Sequence, residues 1–387
     1  MRRTRPALGR PLWHGLALEP TRLLPEGQSL LVVGSTQSGK TSSLVIPALL
    51  RWEGSLVVLS VKDDVRVASE KWRRTCGEVQ VVAPAEAEGL TWNPLEGISS
   101  LRDALVAARD LCRGVGTPGT TESEFWNTLA AKLLGALFLH AQQSGASIFD
   151  VVRWLDSRDF DSWYDASSEV SEALASWARH DERTRDSIIT TAEAVVAPWL
   201  IRQPLARLQL TPGGTDSVYL VAPRHDHQRY ASLFRGALRC VLESQEAQWA
   251  SGEGSELLLV IDEAATVAAL DDLDQLAATG IGLGVTLVTV VQDFSQMRAR
   301  WGEAAASLVN NHATRVIYGG MLDAAVATFV PEVEVLTARR PLRTWPRGRA
   351  ILISGRRAPR VIRLRPWWTS RHYRHRAAGE EQTTLRP

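Results

Sequence analysis

The segment "SLLVVGSTQSGKTSSLVIPALL", Ser29 to Leu50, constrains this chain more than any other. A short apolar run leads into a loop that opens at Gly34 and closes on Gly39, Lys40 and Thr41, and helix-forming residues follow. The loop matches the pattern G-x-x-x-x-G-K-[ST], and its setting between a strand and a helix is the one that gives the pattern meaning. The glycines let the backbone curl so that successive N–H groups face inward, and the helix that starts there adds the positive end of its dipole. Such a loop cradles phosphates. Its candidate ligating residues are Gly34, Ser35, Thr36, Gln37, Ser38, Gly39, Lys40, Thr41 and Ser42. Lys40 is placed to reach the β- and γ-phosphates, and the Thr41 hydroxyl to ligate Mg²⁺.

Other short β-branched runs share the character of the first. They include "SLVVLSV" (55–61), "VQVVAP" (79–84), "SVYLVAP" (217–223), "ELLLVID" (256–262), "GVTLVTVVQ" (284–292), "ATRVIYGG" (313–320) and "GRAILISG" (348–355). Continuous apolarity without alternation marks strands covered on both faces. Helical spacing lies between most of them, as in "YASLFRGALRCVLESQEAQW" (230–249). The alternation predicts an α/β fold with a mostly parallel, doubly wound sheet.

From 98 to 212 that rhythm stops. Helical patterns follow one another, from "SLRDALVAARDLC" and "EFWNTLAAKLLGALFLHAQQ" through to "ERTRDSIITTAEAVVAPWL". Phe125, Leu129, Leu133 and Leu137 fall on one stripe, and no strand-like run intervenes. The expected organisation is a lead-in over 1–28, a discontinuous α/β domain over 29–97 and 213–366, and an inserted all-helical domain over 98–212. A basic then polar tail, 367–387, completes it. Trp126, Trp154, Trp163 and Trp177 of the helical part are expected to be mostly core.

"LLLVIDEAAT" (257–266) supplies what the loop needs for chemistry. A buried strand delivers Asp262 and Glu263 at its carboxyl end, where open parallel sheets bind ligands. Asp262 is placed to hold Mg²⁺, and Glu263 to polarise an attacking water as general base. A helix N-terminus that favours acids is the plainer explanation of the pair. Beside a phosphate loop, the two together point to hydrolysis. Gln292 ends another apolar run and could touch a γ-phosphate. "HDH" (225–227) reads as a solvated loop rather than a metal site.

Composition narrows the remaining choices. The three cysteines, Cys76, Cys112 and Cys240, are far apart, which fits a reducing compartment better than a disulfide framework or a zinc site. No apolar stretch approaches the ~18 residues needed to cross a bilayer. The expected location is the cytosol, with any membrane association peripheral and supplied by a partner. Net charge is +1, yet thirteen arginines and no acid lie between Arg339 and Arg376. That run reads either as a functional basic patch or as the arginine bias of a chain with only four lysines. Trp367, Trp368 and Tyr373, set among these arginines, read as packing of a terminal strand, with stacking on bases as the alternative.

Taken in order, these motifs resemble the TraG/TraD-like coupling proteins of type IV secretion and conjugative DNA transfer, within the FtsK/HerA-like motor ATPases. The loop with its Ile-Pro helix, "WNPLEGI" (92–98), "EFWNTLAAKLLGALFLH", "VIDEAA" and "GIGLGVTLVTVVQDFSQMRARWG" all take part, as does "LVNNHATRVIYGGMLD". "VVLSVKDDV" stands where the family has an Asp-Pro-Lys-Gly-Glu box; Lys62 matches it, but the proline and glycine do not. The resemblance implies a RecA-like P-loop NTPase that uses ATP and Mg²⁺ and assembles as a homo-oligomer, a hexamer. Its partners would be single-stranded DNA gripped without regard to sequence, a relaxase or other secreted cargo, and a secretion channel or separate membrane subunit. In such rings a neighbouring arginine completes each site, and Arg315, or else Arg300, is the candidate here. Family members usually carry transmembrane helices before the P-loop, and the lead-in here is not apolar enough for one. A soluble DNA translocase outside conjugation and a non-hydrolysing cargo adapter are the competing readings.

Overall fold

The computed structural model describes residues 29–380, apart from 87–88, 114, 116–120, 159–167, 202, 204, 207, 209, 268–269, 271, 322, 338–339 and 356. The expected lead-in, the end of the polar tail and Trp163 lie outside the described residues. The strands are β1 (Leu30–Val33), β2 (Leu56–Ser60), β3 (Val79–Val82), β4 (Thr91–Trp92), β5 (Leu205–Ala206), β6 (Ser217–Val221), β7 (Leu257–Ile261), β8 (Val285–Val291), β9 (Thr314–Tyr318), β10 (Arg349–Ser354) and β11 (Arg360–Arg363). The helices are α1 (Ile46–Arg51), α2 (Asp64–Cys76), α3 (Leu101–Cys112), α4 (Thr121–Ser144), α5 (Ile148–Ser157), α6 (Ser168–Ala178), α7 (Glu182–Val196), α8 (Ala231–Ser251), α9 (Leu273–Thr279), α10 (Phe294–Trp301), α11 (Ala304–Asn311), α12 (Asp323–Phe329), α13 (Glu334–Thr337) and α14 (Arg371–Ala377).

Nine strands form one sheet in the order β11-β10-β9-β1-β8-β7-β2-β6-β3. The seven from β9 to β3 run parallel, and β10 and β11 add an antiparallel edge. Side chains alternate between two cores. Leu31, Val33, Val57, Leu59, Leu259 and Ile261 face one, while Leu30, Val32, Leu56, Val58, Leu258 and Val260 face the other. Burying a valine or leucine is worth about 1.5–3 kcal/mol. A strand covered on both sides gains that at every position, which is why these runs are unbroken.

The helical segment does fold as α3 to α7, and its core is continuous with one face of the sheet: Ala104, Leu111, Leu137 and Ile188 belong to the cluster that holds Leu31 and Leu59. Two expectations need correction. A two-residue strand, β5, follows α7 within the span 98–212 and pairs in parallel with β4; two residues are too few to register as a pattern. Leu133 and Leu137 are buried, but Phe125 near the start of α4 is 54% exposed, its ring edge-on to Trp126. Trp126, Trp154 and Trp177 pack against the core while only partly buried. No helix among the described residues is long and apolar enough to cross a membrane.

On the far side of the sheet, Arg73 of α2 is buried. Its guanidinium donates to Ser217 Oγ (2.8 Å) and to the carbonyls of Trp52 (2.8 Å), Gly54 (2.7 Å) and Thr215 (2.7 Å). One side chain thus ties α2 to the two loops that lead into β2 and β6.

Candidate nucleotide site

The loop after β1 depends on its two glycines. A Cβ at Gly34 would lie 2.7 Å from Tyr318 Cβ, which β9 brings alongside β1, and 2.8 Å from Ser38 Oγ. Gly39 has φ +100°, which side-chain-bearing residues resist. Ser38 N donates to Ser35 O (3.2 Å) and Ser43 N to Gly39 O (2.8 Å), closing the curl. Thr41–Val45 is wound wider than an α-helix before α1 begins.

Lys40 is buried, and its ammonium donates to the carbonyl oxygens of Gly34 and Ser35, the latter at 2.9 Å. Gly34 and Ser35 therefore bind the lysine through their carbonyls, while residues 36–43 face the cleft. Burial lowers the Lys40 pKa to about 8; Asp262 and Glu263 act to raise it, and Lys62 to lower it.

The acids arrive on β7. Asp262 N donates to Leu59 O (2.9 Å) and Ala264 N to Val290 O (2.8 Å), so the neighbouring strands grip both sides of the turn. Between them Glu263 takes φ +56°, in the left-handed region. Successive side chains of an extended strand face opposite ways; the turn at Glu263 lets both carboxylates line one cleft, and the site holds of order 1–3 kcal/mol of backbone strain for it.

Asp262 is buried, its Oδ2 3.5 Å from Thr41 Oγ1, and its Oδ1 has no hydrogen-bond partner among the described residues. Burial raises its pKa to about 6, with Lys62 pulling the other way and Glu263 and Asp64 adding to the rise. Glu263 Oε1 accepts from Lys62 Nζ at 2.5 Å, and Oε2 has no partner among the described residues. Burial would lower the Lys62 pKa, but the hydrogen bond and charge of Glu263 outweigh it and raise it.

An orphaned, buried carboxylate oxygen beside a threonine hydroxyl suits a hard divalent cation such as Mg²⁺, which takes one or two protein oxygens and completes its shell with water and phosphate. Among the described residues there is no cluster of three or more His, Cys, Asp or Glu side chains that would make a self-sufficient metal centre.

Gln292 directly follows β8 and reaches the same cleft, where Gln296 Nε2 donates to its Oε1 at 3.2 Å. The structure thus brings together the P-loop, Asp262, Glu263 and Gln292 around about 720 Å³ of space, a size typical of ligand pockets. Arg315 is not among these residues. It sits on β9 in register with Leu31, near the strand's start and away from the edge where the loop leaves β1.

Two cleft features carry no role in the sequence reading, and one loop outside the cleft departs from it. Lys62 was matched without a role. Arg347, Arg363, Arg365 and Trp368, from the arginine-rich run, form a wall of the cleft. The "HDH" loop is only half solvated: His225 is exposed, but His227 is buried against Phe234 (ring centroids 5.2 Å), and burial drops its pKa to about 4. Nothing in the spacing of "HDH" distinguishes the two histidines. The terminal tryptophans, expected in a strand, lie in a 3₁₀ turn before α14, since Pro366 starts a turn where a strand would need its missing N–H.

The family described as "Type IV secretory system Conjugative DNA transfer" matches residues 10–333. The conjugal transfer protein TraG of Escherichia coli is 24% identical over 315 residues, covering 70% of this chain and 49% of that protein. The chain spans about half the length of the curated TraG relatives it matches. The plasmid coupling protein TrwB in complex with the non-hydrolysable GTP analogue GDPNP superposes with a TM-score of 0.69 at 18% identity, over 94% of this chain and 90% of that one. TrwB in complex with ADP and Mg²⁺ gives 0.68 at 19% identity, over 88% and 85%. At these identities the likeness is one of fold.

Proposed function

The chain belongs to the type IV secretory family of conjugative DNA transfer proteins, and on that premise we propose that it is an ATP-hydrolysing motor that couples DNA to a secretion channel. The observation that carries the reading is the meeting of two carboxylates with the P-loop, Thr41 Oγ1 lying 3.5 Å from Asp262 Oδ2. The structures of TrwB with ADP and Mg²⁺ and with nucleotide analogues support the ligand class.

In this reading the loop N–H groups hold the triphosphate, and Lys40 exchanges the carbonyls of Gly34 and Ser35 for phosphate oxygens. Thr41 and Asp262 would hold Mg²⁺, which when bound neutralises charge on the phosphates. Glu263 leaves Lys62 to take a proton from the attacking water, and Gln292 contacts the terminal phosphate. Six copies in a ring, with Arg315 or Arg300 of a neighbour completing each site, would move single-stranded DNA gripped through its phosphates, independent of sequence and weakened by salt. The helices α3 to α7 would receive cargo, a relaxase or another secreted protein. A secretion channel or a separate membrane subunit would hold the ring peripherally at the membrane.

The test is ATP turnover by wild type, Lys40→Ala and Glu263→Gln, with and without single-stranded DNA. Turnover that DNA stimulates and either substitution abolishes is the expected result. A wild type that binds ATP but never turns it over, with DNA and partners present, would leave a cargo adapter instead.

A further inference from the structure

The arginine-rich end of the chain folds back onto the nucleotide cleft. Strands β10 and β11 lie beyond β9, on the side of β1 opposite β8 and β7. Where they meet the sheet's ligand edge, Arg347 and the segment Arg363–Thr369 line the space that the P-loop, Asp262 and Glu263 line from the other side.

This wall is held in place. Leu364 N donates to Gly348 O at 2.7 Å. Gly348 has φ +79°, and a Cβ there would stand 2.5 Å from Leu364 O, so only glycine lets the two segments pass. Arg347 donates to Gln37 Oε1 of the P-loop at 3.0 Å. Beyond the wall, the Arg376 guanidinium lies 4.4 Å over the Trp72 ring and donates to Leu50 O.

The adjacent tryptophans divide between two environments. Trp367 packs against the small core of Ile46, Leu50, Ala68 and Tyr373. Trp368, its ring turned 78° from that of Trp367, lines the cleft and remains 50% exposed. About half of a large aromatic surface is thus left uncovered by the described residues at a ligand edge.

The direction of a bound nucleotide follows from the sheet order. Glu263 and Gln292 mark the end for the terminal phosphate, and the P-loop runs between them and the C-terminal wall. The nucleoside end must then point toward β10 and β11. Building on the reading of this cleft as a nucleotide site, we propose that Arg363–Thr369 is its nucleoside-binding wall: Trp368 stacks on the base, and Arg363 and Arg365 face the α-phosphate and ribose.

Calorimetry with ATP, with inorganic tripolyphosphate and with single-stranded DNA separates the outcomes, using wild type, Lys40→Ala, Trp368→Ala and Trp368→Phe. Trp368→Ala should bind ATP about tenfold more weakly, within the range for base–aromatic stacking. It should bind tripolyphosphate, which has no base, within twofold of wild type, and Trp368→Phe should recover most of the ATP affinity. Lys40→Ala should weaken both ligands. Unchanged ATP affinity in Trp368→Ala overturns the wall while leaving the site intact, as does an equal loss for tripolyphosphate or a loss confined to DNA. A wild type that binds neither ATP nor tripolyphosphate overturns the nucleotide site itself.

Discussion

Lys62 Nζ lies 2.5 Å from Glu263 Oε1, so the carboxylate we propose as the general base is held by a cation from the end of the adjacent strand. Lys62 follows β2 and Glu263 follows β7, and these strands are neighbours in the sheet. The ammonium is about half exposed and the carboxylate buried. The lysine's charge also opposes the rise that burial imposes on the Asp262 pKa.

Replacing Lys62 tests that role. In Lys62→Met, Asp262 loses the charge that most opposes its burial and holds its proton to higher pH. The acidic limb of the pH–rate profile for ATP turnover should move up by about one unit. A limb that stays in place would show that Lys62 does not bear on the ionisation of Asp262.

With Lys40 in the proposed role, nucleotide binding should depend on protons. Its pKa near 8 belongs to a buried ammonium held by neutral carbonyls, and phosphate oxygens would raise it. Above pH 8 the free protein has begun to lose this proton while the complex keeps it, so binding takes up a proton and weakens as pH rises, by at most about tenfold per unit. Calorimetry at pH 8.5 in two buffers of different ionisation enthalpy should report that uptake; identical heats would contradict it.

Asp262 should cost stability in the free protein. Its carboxyl titrates near 6 when folded against 3.8 for the ordinary group, so between these values the native state binds more protons than the unfolded one. Stability then falls as pH rises from about 4 to 6, and the penalty is complete above that. Asp262→Asn should stabilise the protein at pH 7 by on the order of 1–3 kcal/mol while removing Mg²⁺-dependent turnover. Denaturant melts at pH 4 and pH 7 provide the check: the gain should be present at pH 7 and absent at pH 4.

Arg73 supports the sheet far from the cleft. Arg73→Met would leave the carbonyls of Trp52, Gly54 and Thr215 without their donor. Unmade bonds of this kind cost about 1–3 kcal/mol each, so a loss of about 3 kcal/mol or more is expected. A denaturant midpoint within experimental error of wild type would show that water replaces the guanidinium at no cost.

The P-loop, the buried strands and the Asp262-Glu263 pair are legible in the chain because each is set by neighbours in sequence. Gly39 must be glycine for the φ it adopts, and the residues of "LLLVI" are all apolar because both faces of β7 are covered. The two-residue pairing of β4 with β5 and the exposure of Phe125 escape that logic, since neither leaves a periodic trace. Lys62 reaches Glu263 across 201 residues, and Arg347 reaches Gln37 across 310. Only the order of strands in the sheet makes these residues neighbours, and strand order follows from how the helices pack on both faces. The same holds for Trp367 and Trp368: identical side chains in adjacent positions, one taken by the core under α1 and the other left facing the cleft.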